Sequence, residues 1–335
     1  MTDIEPRRKR APELIGNRWF NGAPLSVSDL STEVLLVVFW DHTCIHCRNL
    51  IPYVREWLRK YCDFGFAAVG VHTPKFPFGK DAAIVEDAIG RLGIDFPVVM
   101  DNDALLWAHY GIHVRPALVL VDRDGFIRYH GERESGCLEA EHMIQSLLHR
   151  SGMGGELPQL MEPLRDADRH GALLYRATPE LLTGYLRGSI GNVEGYSPES
   201  IVEYDDPKIY LDGRFYAEGN WLNDRNYLRL MDDTGQLILN YEALEVHAVF
   251  RQEQGVPCEI ALTQDDRNIG EAECGDDVQV TEDGRSVLVV REPRLYSLVR
   301  NPAFGQHVLK LASQGSGLEL YSFAFVSDLM TVTRN

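Results

Sequence analysis

Positive charge is what this 335-residue chain is short of: 33 Lys and Arg face 50 Asp and Glu, for a net charge of −17. Nucleic acid and anionic lipid would both repel such a chain, so nonspecific binding to either is excluded and no nucleic-acid partner is expected. Long apolar runs are missing too. The first, at Val34, is too late for a secretory leader and too short to cross a bilayer, so no membrane insertion is expected and cytoplasmic residence is the default expectation. Cysteine is sparse, with six residues in all. In a reducing compartment so few thiols do not build a disulfide framework, and a close pair of them points to catalysis instead. Internal repeats and low-complexity tracts are absent, which excludes a solenoid. The local excess of positive charge at Pro6-Arg7-Arg8-Lys9-Arg10 reads as a targeting tag or, more simply, a solvated terminus. Residues up to about Gly16 are expected to be poorly structured, and Trp19-Phe20-Asn21-Gly22-Ala23 reads as a small hairpin, Asn-Gly being a tight-turn signal.

What is present is a pair of cysteines, Cys44 and Cys47, at the junction of two contrasting patterns. Val34 to Trp40 is β-branched and aromatic enough for a buried parallel strand, whereas Cys44 to Tyr61 carries apolar residues at helical spacing. Cys44 therefore falls at a helix N-terminus, where unpaired N–H groups and the helix dipole favour a thiolate, the reacting species. Cys47, one turn further in, is close enough to close a ring with it. The pair reads as a redox-active dithiol in which Cys44 attacks and Cys47 resolves, and no cofactor beyond that disulfide is expected. Two plainer readings stand beside it. One is a pair of ordinary buried cysteines; the other is a zinc centre, although His42, Cys44, His46 and Cys47 crowd along one loop and helix and no second C-x-x-C completes a site. Cys62, Cys137, Cys258 and Cys274 lack the spacing and are expected as small buried apolar residues, a Cys258 to Cys274 bridge remaining open.

The constellation resembles the thioredoxin superfamily. The aromatic pair Phe39-Trp40, Pro52 five residues after the second cysteine, and Arg115-Pro116 before a late apolar strand all fall where that family has them. By this resemblance Pro116 is a cis-proline packed against the disulfide, and the backbone at Arg115 lines a substrate groove. The order that follows, a helix at Asp81 to Leu92, Phe96-Pro97-Val98-Val99-Met100, and a helix at Asn102 to Tyr110, is similar to the TlpA and redoxin branch. His46 matches the side-chain type of more oxidising relatives such as protein disulfide isomerase. An imidazole that stabilises the reduced thiolate raises the potential, so a value above about −270 mV and nearer about −180 mV is expected. Thioredoxin keeps a buried acid where this chain has Val38. Asp41 and His42 are then the nearest candidates for proton transfer to Cys47, or simply solvated loop residues. The Arg115 guanidinium is expected to favour the Cys44 thiolate, to grip an acidic substrate, or to be a plain surface charge.

Length and composition suggest two domains: a thioredoxin-like domain over 1–150, a Gly- and Pro-rich linker over 151–178, and a second domain over 179–335. In the last, short alternating runs punctuated by turns, among them Lys208 to Leu211, Gln236 to Tyr241, Glu245 to Phe250, Tyr296 to Val299 and His307 to Ala312, indicate an all-β jelly-roll sandwich. The layout is similar to the C-terminal half of DipZ-type proteins, where such a sandwich resembles a carbohydrate-binding module; Trp221, Gly235, Leu237 and Leu320-Tyr321-Ser322-Phe323 carry the likeness. It implies a possible glycan partner, with Trp221, Tyr227, Tyr241 and Tyr296 as a stacking platform, unless these rings fill the core. The nine carboxylates between Glu259 and Asp283 miss the spacing of a twelve-residue calcium loop. The expected function is thiol-disulfide exchange on a protein or small-molecule disulfide, with an unknown reductant. Its rivals are a thiol peroxidase on the redoxin scaffold, whose pattern places a threonine three residues before the cysteine where this chain has Asp41, and a non-catalytic binding module.

Overall fold

The computed structural model describes residues 9–28, 32–132, 136–152, 155–253 and 255–330. The chain divides into two compact units with the boundary between His170 and Gly171. In the first, β1 (Trp19–Phe20), β2 (Val34–Trp40), α1 (Ile45–Tyr61), β3 (Phe66–His72), α2 (Ala82–Arg91), β4 (Val98–Met100), α3 (Leu105–Tyr110), β5 (Ala117–Asp122), β6 (Ile127–Glu132) and α4 (Cys137–Arg150) follow in chain order. The sheet order is β1-β4-β3-β2-β5-β6, with β2, β3 and β4 mutually parallel and the remaining pairings antiparallel.

Strand β2 explains how this sheet is held. All seven of its residues are buried. Because side chains alternate across a strand, Val34, Leu36, Val38 and Trp40 enter the core that includes α1 and α4, while Leu35, Val37 and Phe39 enter the opposite core against α3. Gly70 on β3 makes room for Trp40: a Cβ there would lie 2.9 Å from the indole nitrogen.

Several local expectations change in the fold. Trp19-Phe20-Asn21-Gly22 does not turn back as a hairpin; β1 adds to the edge of β4, and the Asn21 amide donates to the carbonyls of Ile94 and Phe96. The described part of the N-terminal segment is not loose. Arg10 bridges to Phe126, Ala11 donates to the Gly125 carbonyl, and Leu14 is buried. Pro6, Arg7 and Arg8 lie outside the described residues. The stretch expected as linker is also bound, at its two ends separately. Over 157–168 it lies on the first unit, where Gln145 donates to the Pro158 carbonyl, Lys60 to that of Gln159, and Tyr53 to Asp168. Tyr175 and Thr178 instead donate to Asp328 and Glu242 of the second unit.

The second unit is all-β: β7 (Leu181–Leu182), β8 (Ile201–Tyr204), β9 (Arg214–Asn223), β10 (Leu228–Leu230), β11 (Thr234–Gln252), β12 (Cys258–Gln264), β13 (Arg267–Asn268), β14 (Val278–Val280), β15 (Ser286–Val290), β16 (Arg294–Gln314) and β17 (Leu318–Val326). They form one hydrogen-bonded path, β14-β15-β12-β16-β11-β17-β10-β9-β8, with β13 and β7 attached to it. The pairing does not divide them into two facing sheets, so all-β is the description that stands. Runs expected as separate strands, at 236–241 and 245–250 and again at 296–299 and 307–312, are continuous in β11 and β16, with a register shift near Ala243 in place of a turn. Lys208 to Leu211 is not a strand. Trp221, Tyr241 and Tyr296 are buried in the core and form no platform; Tyr227 is partly exposed. Cys258 and Cys274 are both free thiols.

Candidate active site

The dithiol sits where β2 hands over to α1. Cys44 is the N-cap of that helix, with extended backbone, and its Sγ accepts the Cys47 N–H at 3.3 Å. This is the local arrangement that the strand-then-helix pattern dictates, because the first turn of a helix leaves N–H groups without intrahelical partners. Cys44 is half-buried and Cys47 buried. Their acidities diverge. Hydrogen bonding from the Cys47 thiol holds the Cys44 thiol below its ordinary value; the Cys47 N–H and the charges of His46 and Lys75 add to this against the opposing effect of burial. Burial pushes Cys47 well up, and the neighbouring Cys44 and Asp41 reinforce it.

The residues singled out from the sequence take different places. His46 is exposed on the first turn of α1 and acts on Cys44 through its charge. A His46→Pro variant is expected to lower the potential towards about −270 mV, as read by equilibration with glutathione buffers. An unchanged potential would remove His46 from the site. The Arg115-Pro116 bond is cis and Pro116 is buried. Arg115 is half-buried: its Nε donates to the Thr73 carbonyl at 3.1 Å, its guanidinium lies 4.3 Å from the Trp107 ring centre, and its charge acts on Asp41 and His72. Trp40 packs edge-on against His72, centres 5.0 Å apart.

Asp41 is no solvated loop residue. It is 1% exposed, and His42 and His72 are 7% and 0% exposed. One carboxylate oxygen of Asp41 accepts the Thr43 N–H at 2.7 Å and the Thr43 hydroxyl; the other accepts the Lys75 N–H at 2.9 Å and lies 3.7 Å from His72 Nε2. Burial alone would raise the Asp41 carboxyl, yet His42, His72, Arg115 and the Thr43 hydroxyl together hold it far below the usual carboxylate range. Burial lowers both imidazoles, His72 to about 3, so both are neutral at pH 7.

His72 and Lys75 were missed. The signal for His72 was a polar residue closing the apolar run Phe66–His72 at the C-terminal end of a parallel strand, where α/β sites collect. The register then places it opposite Trp40. Asp41, His42 and His72 are also the donors that could converge on a metal, all within 4.8 Å of one another. The geometry fits a hydrogen-bonded network better. His42 Nδ1 and His72 Nε2 are 3.0 Å apart while the ring centres are 5.2 Å apart, so the rings meet edge to edge, as in an N–H···N bond. Both carboxylate oxygens already accept N–H groups, and the outer nitrogens, His42 Nε2 and His72 Nδ1, lack the partners that ligating histidines normally have.

Comparison with known proteins agrees with this layout. Residues 8–130 match the AhpC/TSA family, and residues 178–325 match the family described as thioredoxin like C-terminal domain. Protein DipZ of Mycobacterium tuberculosis is 32% identical over 247 residues, which are 71% of this chain and 34% of DipZ. The chain thus spans about a third of the length of the DipZ proteins it matches. Thiol-disulfide oxidoreductase YkuV of Bacillus subtilis is 27% identical over 142 residues, covering 42% of this chain and 95% of YkuV. Among solved structures, a thioredoxin-like protein in the oxidized form is 26% identical and covers 43% of this chain and 97% of its own, with a TM-score of 0.40. Over residues 8–130 the chain is thus similar to AhpC/TSA proteins, and over 71% of its length it resembles DipZ.

Proposed function

We propose that the chain is a thiol-disulfide oxidoreductase acting through Cys44 and Cys47. The observation that carries this reading is the opposite treatment of the two thiols: the half-buried one at the helix end is made acidic, and the buried one is kept protonated. The Cys44 thiolate attacks one sulfur of a substrate R–S–S–R′, forming the mixed disulfide Cys44–S–S–R and releasing R′–S⁻. Cys47 then gives up its proton, attacks Cys44 Sγ and releases R–S⁻. Two electrons pass from the dithiol to the substrate, the proton of Cys47 ends on a released thiolate, and the Cys44–Cys47 disulfide remains for an external dithiol to reduce. The similarity to thiol-disulfide oxidoreductase YkuV supports a disulfide as substrate.

The test is a direct competition. With dithiothreitol as reductant, reduction of a peptide disulfide is expected to outpace peroxide consumption; the reverse would favour the thiol peroxidase. Against that rival stands Asp41, three residues before Cys44 where the peroxidase pattern has threonine. The pH dependence has a definite sign. A thiol held below its ordinary value of 9.0 is ionised at lower pH, so Cys44 alkylation rises and levels off earlier than that of a free cysteine. A midpoint at or above 9.0 would contradict the reading.

For the second unit the reading is a protein partner. Three of the four rings of the glycan platform are buried, whereas strand β8 pairs on one side alone and exposes Ile201, and an open edge of this kind can accept a further strand.

A further inference from the structure

Beyond the cysteines, the chain leaving β2 and the chain leaving β3 run side by side: Thr73 N–H donates to the Trp40 carbonyl at 3.1 Å. The first of these segments carries Cys44, and the second carries Lys75. One side chain joins them. The Asp41 carboxylate takes the Thr43 N–H on one oxygen and the Lys75 N–H on the other, while the Asp41 carbonyl takes the Cys44 N–H at 3.2 Å. Beneath it His72 Nε2 stands 3.7 Å away, itself bonded to His42 at 3.0 Å.

A buried carboxylate is expensive to desolvate and is tolerated where several donors converge on it. Nothing in the packing of β2 requires one here, since the strand is complete at Trp40. The groups facing Asp41 are known from every side: Thr43 and Cys44 on its own segment, Cys47 on α1, His72 and Lys75 from β3 and the loop after it, and Arg115 from the loop before β5. His42 faces the Asp41 carboxylate as well, within 4.8 Å of it, and also feels Arg91 of α2.

We propose that Asp41 is a positioning residue for thiol exchange: its carboxylate clamps the Lys75 segment beside Cys44 and sets a fixed negative charge on the Cys47 side of the dithiol. This rests on Cys44 and Cys47 forming the redox pair. The Lys75 charge favours the Cys44 thiolate and the clamp fixes the segment that carries it, while the Asp41 charge discourages ionisation of Cys47 until Cys44 has been consumed in the mixed disulfide. The acid that thioredoxin keeps at the Val38 position is thereby replaced by a residue on the other side of Trp40, seated by a histidine pair.

The test reads alkylation rates of each thiol at pH 7, which need no turnover and so fail or succeed separately from the proposed activity. In the Cys44→Ser background, Asp41→Asn is expected to speed Cys47 alkylation about tenfold, the change that one pKa unit produces. With Cys44 present, Lys75→Met is expected to slow Cys44 alkylation severalfold, and this effect is expected to vanish in the Asp41→Asn background, because the clamp has already been released. A Cys47 rate unchanged by Asp41→Asn, or a Lys75→Met effect of equal size in both backgrounds, overturns the proposal. Should Asp41→Asn fail to fold, Asp41→Glu keeps the charge but displaces the carboxylate. Cys47 is then expected to stay within about twofold of the parent rate while the Lys75→Met effect shrinks; the opposite pattern overturns the proposal.

Discussion

A Cys47→Ser variant given a peptide disulfide is expected to stop halfway, with one peptide attached to Cys44 and no internal disulfide formed. Serine matches cysteine in shape at this buried position but cannot displace the partner, so the first exchange proceeds and the second does not. Cys44→Ser is expected to lose turnover by about a thousandfold or more, because without the nucleophile the reaction is no longer split into two easier steps. Intact-mass analysis followed by peptide mapping checks both. Cys62 supplies an internal control, being an exposed free thiol with no resolving partner at C-x-x-C spacing. An adduct on Cys62 in preference to Cys44 would show that exposure, and not the helix end, governs reactivity here.

The second large effect belongs to the all-β unit. Glu319 on β17 is fully buried, yet it pairs with Arg229 on one neighbouring strand and Arg251 on the other. Arg229 Nη2 approaches it at 2.7 Å, Arg251 Nη1 at 3.5 Å, and the Tyr321 hydroxyl donates to it at 2.8 Å. Removing one member of a buried ion pair leaves the other uncompensated, so Glu319→Ala is expected to destabilise this unit by about 3–5 kcal/mol. Glu253 still pairs with Arg229 at 2.8 Å, which argues for the lower end of that range. Hydrogen exchange of the amides in β10, β11 and β17, measured in the full chain, separates this loss from events in the first unit. Protection reduced by less than about 1 kcal/mol would mean that the cluster is solvated like a surface pair.

The two predictions also mark where reading the chain succeeded and where it could not. Cys44 and Cys47 were legible because everything that defines them is local: an apolar β run, a change to helical spacing, and two thiols one turn apart. Glu319 was not, since it lies in the alternating strand Leu318–Val326 and its partners are 90 and 68 positions away by number. The same holds for Tyr53, Lys60 and Glu141, which hold residues 157–168 on the first unit although Gly and Pro there read as linker. Turn residues announce that the chain changes direction, but not what it then packs against. In β11 and β16 the reverse error arose, because a β-bulge and a turn interrupt alternation in the same way.

By itself, then, the order of residues determined the C-x-x-C pair, the strand and helix that present it, and the all-β character of the second unit, because each depends on interactions within a few positions along the chain. Only the tertiary structure decided that Asp41 is buried, that His72 and Lys75 come to it from the next parallel strand and the loop after it, and that the Arg115 charge acts on Asp41 and His72. Those outcomes follow from which strand lies beside β2 and in what register. Register is set by the packing of two cores at once, and no single segment contains it.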